Sequence, residues 1–169
     1  MKIVTIIHGA PGCGKTTIAG LLHEKLKCPW FEFGWIPEFR HLNPHTEISY
    51  AQEEELSFSS LALVAKNYLA NNFERVILSD LPDRLIVTLP EVFGENGYEL
   101  FTLYSDSDEI IKTRILNRDN GNLYRNWEAS FALNRTIKTR EQLPNERRIR
   151  SDNVSAEVIV EGIMEEMML

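Results

Sequence analysis

The chain has 169 residues, 43% of them hydrophobic and 25% charged, with a net charge of −7. That length suits one domain, residues 1–169, around a single core, and the composition is that of an ordinary globule, not a fibrous, disordered or disulfide-stapled chain. No run approaches the roughly 20 apolar residues of a membrane span, and the apolar stretch behind Lys2 is too short for a signal peptide, so a cytoplasmic location is expected. Two cysteines, Cys13 and Cys28, suggest neither a disulfide framework nor a metal site.

In chain order, Lys2 to Ile7 reads as a first strand, followed by Gly9-Ala10-Pro11-Gly12-Cys13-Gly14-Lys15-Thr16. This octet fits G-x-x-x-x-G-K-[ST] at every fixed position. Each residue type answers a chemical need: glycines let backbone N–H groups turn inward around phosphates, Lys15 reaches the β and γ phosphates, and the Thr16 hydroxyl ligates magnesium. Such a loop must open a helix, and Thr17 to Leu26 supplies one, with Ile18, Leu21, Leu22 and Leu26 on one face. A bound nucleoside triphosphate is the expectation. Cys13, at the helix start, reads either as a thiol of lowered pKa or as a small filler at a variable position of the loop.

A second strand is expected at Trp30 to Phe33, between Pro29 and Gly34, followed by a turn-rich stretch, Gly34 to Thr46, holding Pro37 and Pro44. Apolar residues from Leu56 to Leu69 recur at near-helical spacing behind Glu53-Glu54-Glu55, which predicts a long helix over about residues 50–71. Phe73 to Asp80 reads as strand three, apolar until it reaches a carboxylate, and residues 83–93 as one helix in which Asp83 can cap and Arg84 can pair with it or reach a substrate. Tyr98 to Tyr104 is strand four, introduced by the Asn96-Gly97 turn. Ser107 or Asp108 caps a helix carrying Ile110, Ile111 and Ile115; Arg147 to Arg150 is a short fifth strand; Ser155 to Met167 is a closing amphipathic helix. The apolar end, Ile163 to Leu169, suits packing on the core or on a partner. Strands separated by helices imply an α/β fold with a parallel sheet covered on both faces.

Charge is unevenly spread. Ten of the 18 Lys and Arg lie between Lys112 and Arg150 against four acids, so this segment is +6 and the remainder −13. A basic segment on an acidic body points to a local anion site, whereas a nucleic-acid protein usually shows a broader basic face. Asp80, at the carboxyl end of strand three where an α/β sheet forms its ligand crevice, suits the metal together with Thr16.

GAPGCGKTT, Val76-Ile77-Leu78-Ser79-Asp80, and Arg114 and Arg118 spaced as R-x-x-x-R resemble the small P-loop kinases of the adenylate, shikimate and gluconate kinase group. The layout is most similar to chloramphenicol phosphotransferase and the kinase domain of polynucleotide kinase, within the wider set that includes the zeta toxins. The resemblance implies a P-loop fold with a five-stranded parallel sheet of order 2-3-1-4-5, a helical lid over about 114–140 carrying arginines, ATP and Mg2+ as cofactors, and transfer of the γ-phosphoryl group to a hydroxyl or phosphate of a small molecule such as a nucleoside, nucleotide, sugar or antibiotic. Gly9 to Thr17 with Arg114 and Arg118 would hold the nucleotide, and Lys15 and Arg118 would act on the transferring group. Arg118 is preferred to Arg114 because Asn117-Arg118-Asp119-Asn120-Gly121 breaks the helix where a lid would begin; Arg125 and Arg135 are further candidates.

On the acceptor side an acidic residue near strand two is expected as base, and Glu38, in the loop that should overhang the phosphates, is preferred to Glu32 inside the strand. Trp30, Phe31, Phe33, Trp35 and Phe39 suit either stacking on an aromatic acceptor or packing. No N-K-x-D string for a GTPase occurs. A non-catalytic ATP sensor and a 5′-hydroxyl polynucleotide kinase stay open as alternatives, the latter disfavoured by the net charge. Oligomeric state is not legible.

Overall fold

The computed structural model describes residues 2–42, 47–119 and 123–167. The first strand, β1 (Ile3–Gly9), is buried along its whole length, which is why it reads as a near-continuous apolar run. It is flanked by β3 (Arg75–Ser79) on one side and β4 (Tyr98–Tyr104) on the other; β2 (Trp30–Glu32) and β5 (Glu146–Arg150) close the two edges. Every pairing is parallel, and the order is β2-β3-β1-β4-β5, as expected from the sequence. Parallel pairing demands a crossover after each strand, and the helices supply them on both faces.

One face is covered by α1 (Lys15–Leu26), α5 (Asp108–Leu116), α6 (Trp127–Thr139) and α7 (Ala156–Glu166), which share a core containing Ile7, Ile18, Leu22, Phe101, Ile115 and Ile163. The other face is covered by α2 (Tyr50–Ala70), α3 (Asp83–Ile86) and α4 (Leu89–Phe93), packed on Val4, Ile6, Leu78, Leu85 and Leu100. The alternation along β1 is thus a division of residues between two cores. Met167 is buried in the first core, whereas Met168 and Leu169 lie outside the described residues.

Local signals account for most boundaries. Ser49 and Gln52 form a capping box that starts α2, with Gln52 N donating to Ser49 Oγ at 3.2 Å and Ser49 N to Gln52 Oε1 at 2.8 Å. Ser107, not Asp108, caps α5, and Ser155 caps α7. The single helix expected over residues 83–93 is two short ones. Pro90 lies in the first turn of α4 and lacks the N–H that a continuous helix would need there, so the chain breaks at Val87 and Thr88. The first strand runs two residues further than expected, into Gly9, because β4 continues beside it and Gly9 is paired with Leu103.

Polar groups within the sheet pair in place, except that His8 Nδ1 is buried without a partner among the described residues. Thr5 donates to Glu99 Oε1 at 2.6 Å, and Arg75 closes on the same carboxylate. His8 is buried and meets Asp83 Oδ1 through Nε2 at 3.0 Å. Burial disfavours its charged form and lowers the His8 pKa, while the same hydrogen bond holds Asp83 below the usual carboxylate range. The pair is therefore a neutral imidazole donating to a carboxylate. Asp83 is the first residue of α3, but its carboxylate is spent on His8, and Arg84 pairs with Glu54 and Glu55, not with Asp83.

Candidate active site

At the carboxyl end of β1 the chain turns through Gly9, Gly12 and Gly14, whose φ values of 143°, 91° and 96° belong to glycine. Close approach matters as much as the turn. A Cβ on Gly9 would lie 2.5 Å from the Leu103 carbonyl oxygen, and one on Gly12 would lie 3.1 Å from that of Ile111. Cys13 N donates back to Ala10 O at 3.1 Å, so the loop closes on itself just ahead of the N-terminal, positive end of α1. The Cys13 thiol is buried against Asn134, and burial pushes its pKa up, in keeping with a filler and not with a reactive thiol.

The loop opens on a cleft of about 710 Å³, within the range of small-molecule sites. Its floor is Pro11 to Thr17. Lys15 is 7% exposed, and its Nζ lies 3.1 Å from Asp80 Oδ1 at the end of β3. Asp80 itself sits at φ 61°, a left-handed conformation uncommon outside glycine, which turns its carboxylate back across the sheet edge toward the loop. Thr16 Oγ1 donates to Glu32 Oε1 at 3.0 Å. Burial raises the Glu32 pKa against the opposing hydrogen bond from Thr16, with the Asp80 charge adding to the rise. Oxygens from Thr16, Glu32 and Asp80 are thus gathered beside one ammonium group, a donor set suited to a hard cation such as Mg2+.

The sequence-expected residues divide on this geometry. Pro11, Gly12, Cys13, Gly14, Lys15, Thr16, Thr17, Asp80, Arg114 and Arg118 all line the cleft, with Gly9 and Ala10 directly beneath it. Glu38 does not. It is 53% exposed and bonded to Arg40 Nη1 at 2.6 Å, on a separate pocket shared with Tyr50 and Glu54. The loop after β2 bends away because buried Glu53 of α2 accepts from the Phe39 and Arg40 amides and from the Arg40 side chain, at 2.7 Å for the last. Glu32 occupies the cleft instead. Its strand is one residue shorter than expected, ending at Glu32, so its carboxylate emerges at the carboxyl edge of the sheet.

The two arginines of the R-x-x-x-R pair are not equivalent. Arg114 is bonded to Gly12 O at 3.3 Å and to Ser151 O at 3.0 Å, so it ties the loop to the segment after β5. Arg118 lies just past α5 on the cleft wall, and among the described residues no hydrogen bond or ion pair engages its guanidinium. Arg125 is exposed and bonds to Tyr124 O, and Arg135 pairs with Asp108; neither lines the cleft. Residues 120–122 of the expected lid lie outside the described residues, as do 43–46 of the turn-rich stretch.

Several cleft residues gave no motif in the sequence. Ser151, Val154, Ala156 and Ile159 form a largely apolar wall, with Tyr124 also on the cleft, and Trp35 stands 58% exposed beside Glu32. Of the other aromatics near β2, Trp30 donates to Ser79 Oγ at 2.8 Å and Phe31 and Phe33 pack on the second core, whereas Phe39 is 56% exposed on a separate pocket. The available signal for the apolar wall was its place directly after β5, at the carboxyl end of a parallel sheet.

This chain has the fold of the P-loop small-molecule kinases. It is similar to a sugar kinase of Janibacter sp. HTCC2649 (20% identity, TM-score 0.69, covering 98% of this chain and 94% of that one). It is similar also to the tunicamycin resistance protein of Deinococcus radiodurans (19%, TM-score 0.65, 98% and 95%). A gluconokinase of Sinorhizobium meliloti 1021 aligns at 15% identity and TM-score 0.64, over 94% of this chain and 87% of that one. At these identities the likeness is one of fold. No family model matches the sequence. One curated sequence, ABC transporter G family member 5 of Dictyostelium discoideum, is 38% identical over 66 residues, and the match spans 37% of this chain and only 4% of that protein. Among the described residues no helix is long and apolar enough to cross a membrane.

Proposed function

We propose that this chain is a single-domain, ATP-dependent phosphotransferase acting on a hydroxyl group of a small molecule, with a lid over about residues 114–140. The observation that carries this reading is the convergence of Lys15, Thr16, Glu32, Asp80 and Arg118 on one cleft above a glycine-rich loop. Phosphoryl transfer asks mainly for positioning and charge neutralisation, and this set supplies both.

In the proposed arrangement the loop amides and Lys15 hold the β and γ phosphates, and the apolar wall at Val154, Ala156 and Ile159 receives the base. Thr16 and Asp80 would hold Mg2+, which when bound shields the phosphate oxygens. Glu32 accepts the proton of the acceptor hydroxyl as that oxygen forms its bond to the γ phosphorus, and the bond from phosphorus to the bridging β–γ oxygen breaks to leave ADP. Its raised pKa suits a base that must hold a proton through the step. Arg118, uncommitted among the described residues, meets the charge on the migrating group, while Arg114 keeps the loop in shape. Glu38, committed to Arg40 on the outer side of the loop, has no role in this scheme.

The test is transfer of label from γ-labelled ATP to a panel of nucleosides, sugars and hydroxyl-bearing antibiotics, with Lys15→Ala as control. Labelled product with the wild type, and loss by orders of magnitude in the variant with the fold retained, are expected. Tight binding of intact ATP without transfer to any acceptor would replace this reading with that of a nucleotide sensor.

A further inference from the structure

We infer that Trp35 is the platform on which the acceptor stacks, and that the acceptor carries a planar aromatic ring next to the hydroxyl that receives the phosphoryl group, as a deoxynucleoside or an aryl-substituted diol does. This rests on the phosphotransferase reading above and goes to what the same cleft will take.

The place of Trp35 in the cleft follows from the strand order. The carboxyl ends of β2-β3-β1-β4-β5 border the crevice, with the glycine-rich loop after β1 at its centre. Neighbouring strands lie about 4.8 Å apart, so the residues after β2 and those after β5 are each about 10 Å from that centre, on opposite flanks. Val154, Ala156 and Ile159 follow β5 and line the flank given to the base; Glu32 and Trp35, at the end of β2, line the other. A ring stacked on Trp35 therefore belongs to the acceptor.

The indole is held ready for contact. Trp35 ends the short 3-10 turn Phe33–Trp35, in which Ile36 N donates to Phe33 O at 3.2 Å, and Phe33 is packed on the second core. Trp30 backs Trp35 at a centroid distance of 5.0 Å and a tilt of 55°, and Trp30 is itself fixed by its bond to Ser79 Oγ. Trp35 nonetheless stays 58% exposed on the cleft wall, a large apolar ring that the fold braces without covering. Stacking on a ring so braced costs little side-chain freedom.

The polar side chains of this flank set the rest of the acceptor. Among the described lining residues, Thr16 and Asp80 go to the metal and Lys15 and Arg118 to the phosphates in the proposed arrangement, which leaves Glu32 for one hydroxyl and Thr17 for one more. A polyol with a hydroxyl on every carbon would bury more polar groups than that pair can satisfy, and each unpaired one counts against binding. An aromatic ring asks for no partner beyond the indole face.

The experiment uses acceptors matched about one primary hydroxyl: deoxynucleosides and aryl-substituted diols as the aromatic arm, the corresponding dideoxypentose and unsubstituted diols as the ring-stripped arm, and pyranoses as a third. Each is assayed with labelled ATP on the wild type, Trp35→Ala, Trp35→Leu and Trp35→Phe. In the wild type, kcat/KM for an aromatic acceptor should exceed that of its stripped counterpart by about 30-fold or more. Trp35→Ala and Trp35→Leu should raise the KM for the aromatic acceptor by about 10- to 100-fold with the KM for ATP unchanged. Trp35→Phe should recover part of that loss, since leucine keeps apolar bulk against Trp30 but offers no ring face. A wild-type preference for pyranoses or stripped diols, an acceptor KM that Trp35→Leu leaves as it was, or a rise in the KM for ATP in its place overturns the inference and leaves the kinase reading standing. Label in no arm, with ATP bound and intact, removes the kinase reading and this inference with it.

Discussion

Glu146→Gln is expected to loosen the junction between α6 and β5 through one carboxylate. Glu146 opens β5 and is 3% exposed. It accepts from Arg140 at 2.5 and 2.8 Å, from the Thr102 hydroxyl at 2.6 Å and from Leu143 N at 2.9 Å. Arg140 is the C-cap of α6, so this cluster fastens the end of α6 to β4 and β5. Burial alone would raise the carboxyl pKa, but donation from Arg140, Thr102 and the backbone outweighs it and holds Glu146 at about 2, against 4.5 unperturbed. At about 1.4 kcal/mol per pH unit the difference is worth roughly 3 kcal/mol, and allowing for solvent reaching the part-exposed arginines leaves about 2 kcal/mol. The folded pKa lies below the unfolded one. Its contribution is therefore complete above pH 4.5 and is lost as pH falls through about 2. The variant should melt about 4–8 °C lower near pH 7 for a chain of this size, and its urea midpoint should converge on that of the wild type as the buffer is taken toward about pH 3. A gap between the two midpoints that stays constant over that range would show that the charge of Glu146 is not what holds the cluster.

Glu32→Gln should lower kcat by about 10²- to 10⁴-fold and Glu38→Gln by no more than about threefold; the reverse ranking would return the acceptor-side role to Glu38. Because burial raises the Glu32 pKa, the acid limb of wild-type kcat/KM should fall off above the usual carboxylate range, and the limb should flatten in Glu32→Gln. Arg118→Ala should cost about 10³-fold in kcat with the melting temperature unchanged, whereas Arg114→Ala should lower the melting temperature by several degrees, since it cuts the tie between Gly12 and Ser151; equal behaviour of the two would refute their division. Gly9→Ala, at φ 143° with a Cβ forced to 2.5 Å from Leu103 O, should destabilise by about 2–4 kcal/mol, which chemical unfolding measures directly.

Much of the fold was legible because its signals are local. The apolar run of β1 and the apolar spacing of α2 behind its acidic first turn each state a requirement within a few residues, and the structure forms the strand and the helix there. The strand order followed from the resemblance and is the order observed. The split of residues 83–93 was readable in part, since Pro90 stands in the middle of that stretch. Arg114 and Arg118 were recognised as a pair, but their spacing says nothing of which one the loop consumes.

The sequence by itself determined a doubly covered parallel sheet, a glycine-rich loop opening α1 and a carboxylate at the end of β3, because backbone conformation and apolar periodicity depend on near neighbours. Tertiary structure alone decided which charges are free. Glu38 and Glu32 are six residues apart and alike in kind, yet Glu53 of α2 draws the loop bearing Glu38 and Arg40 outward while the end of β2 delivers Glu32 to Thr16. In the same way most of the +6 segment proved to be internal pairing, with Arg140 and Arg148 meeting Glu146 and Lys138 meeting Asp106. Electrostatic commitment is a property of distances across the fold, and those distances exist only once the chain has closed.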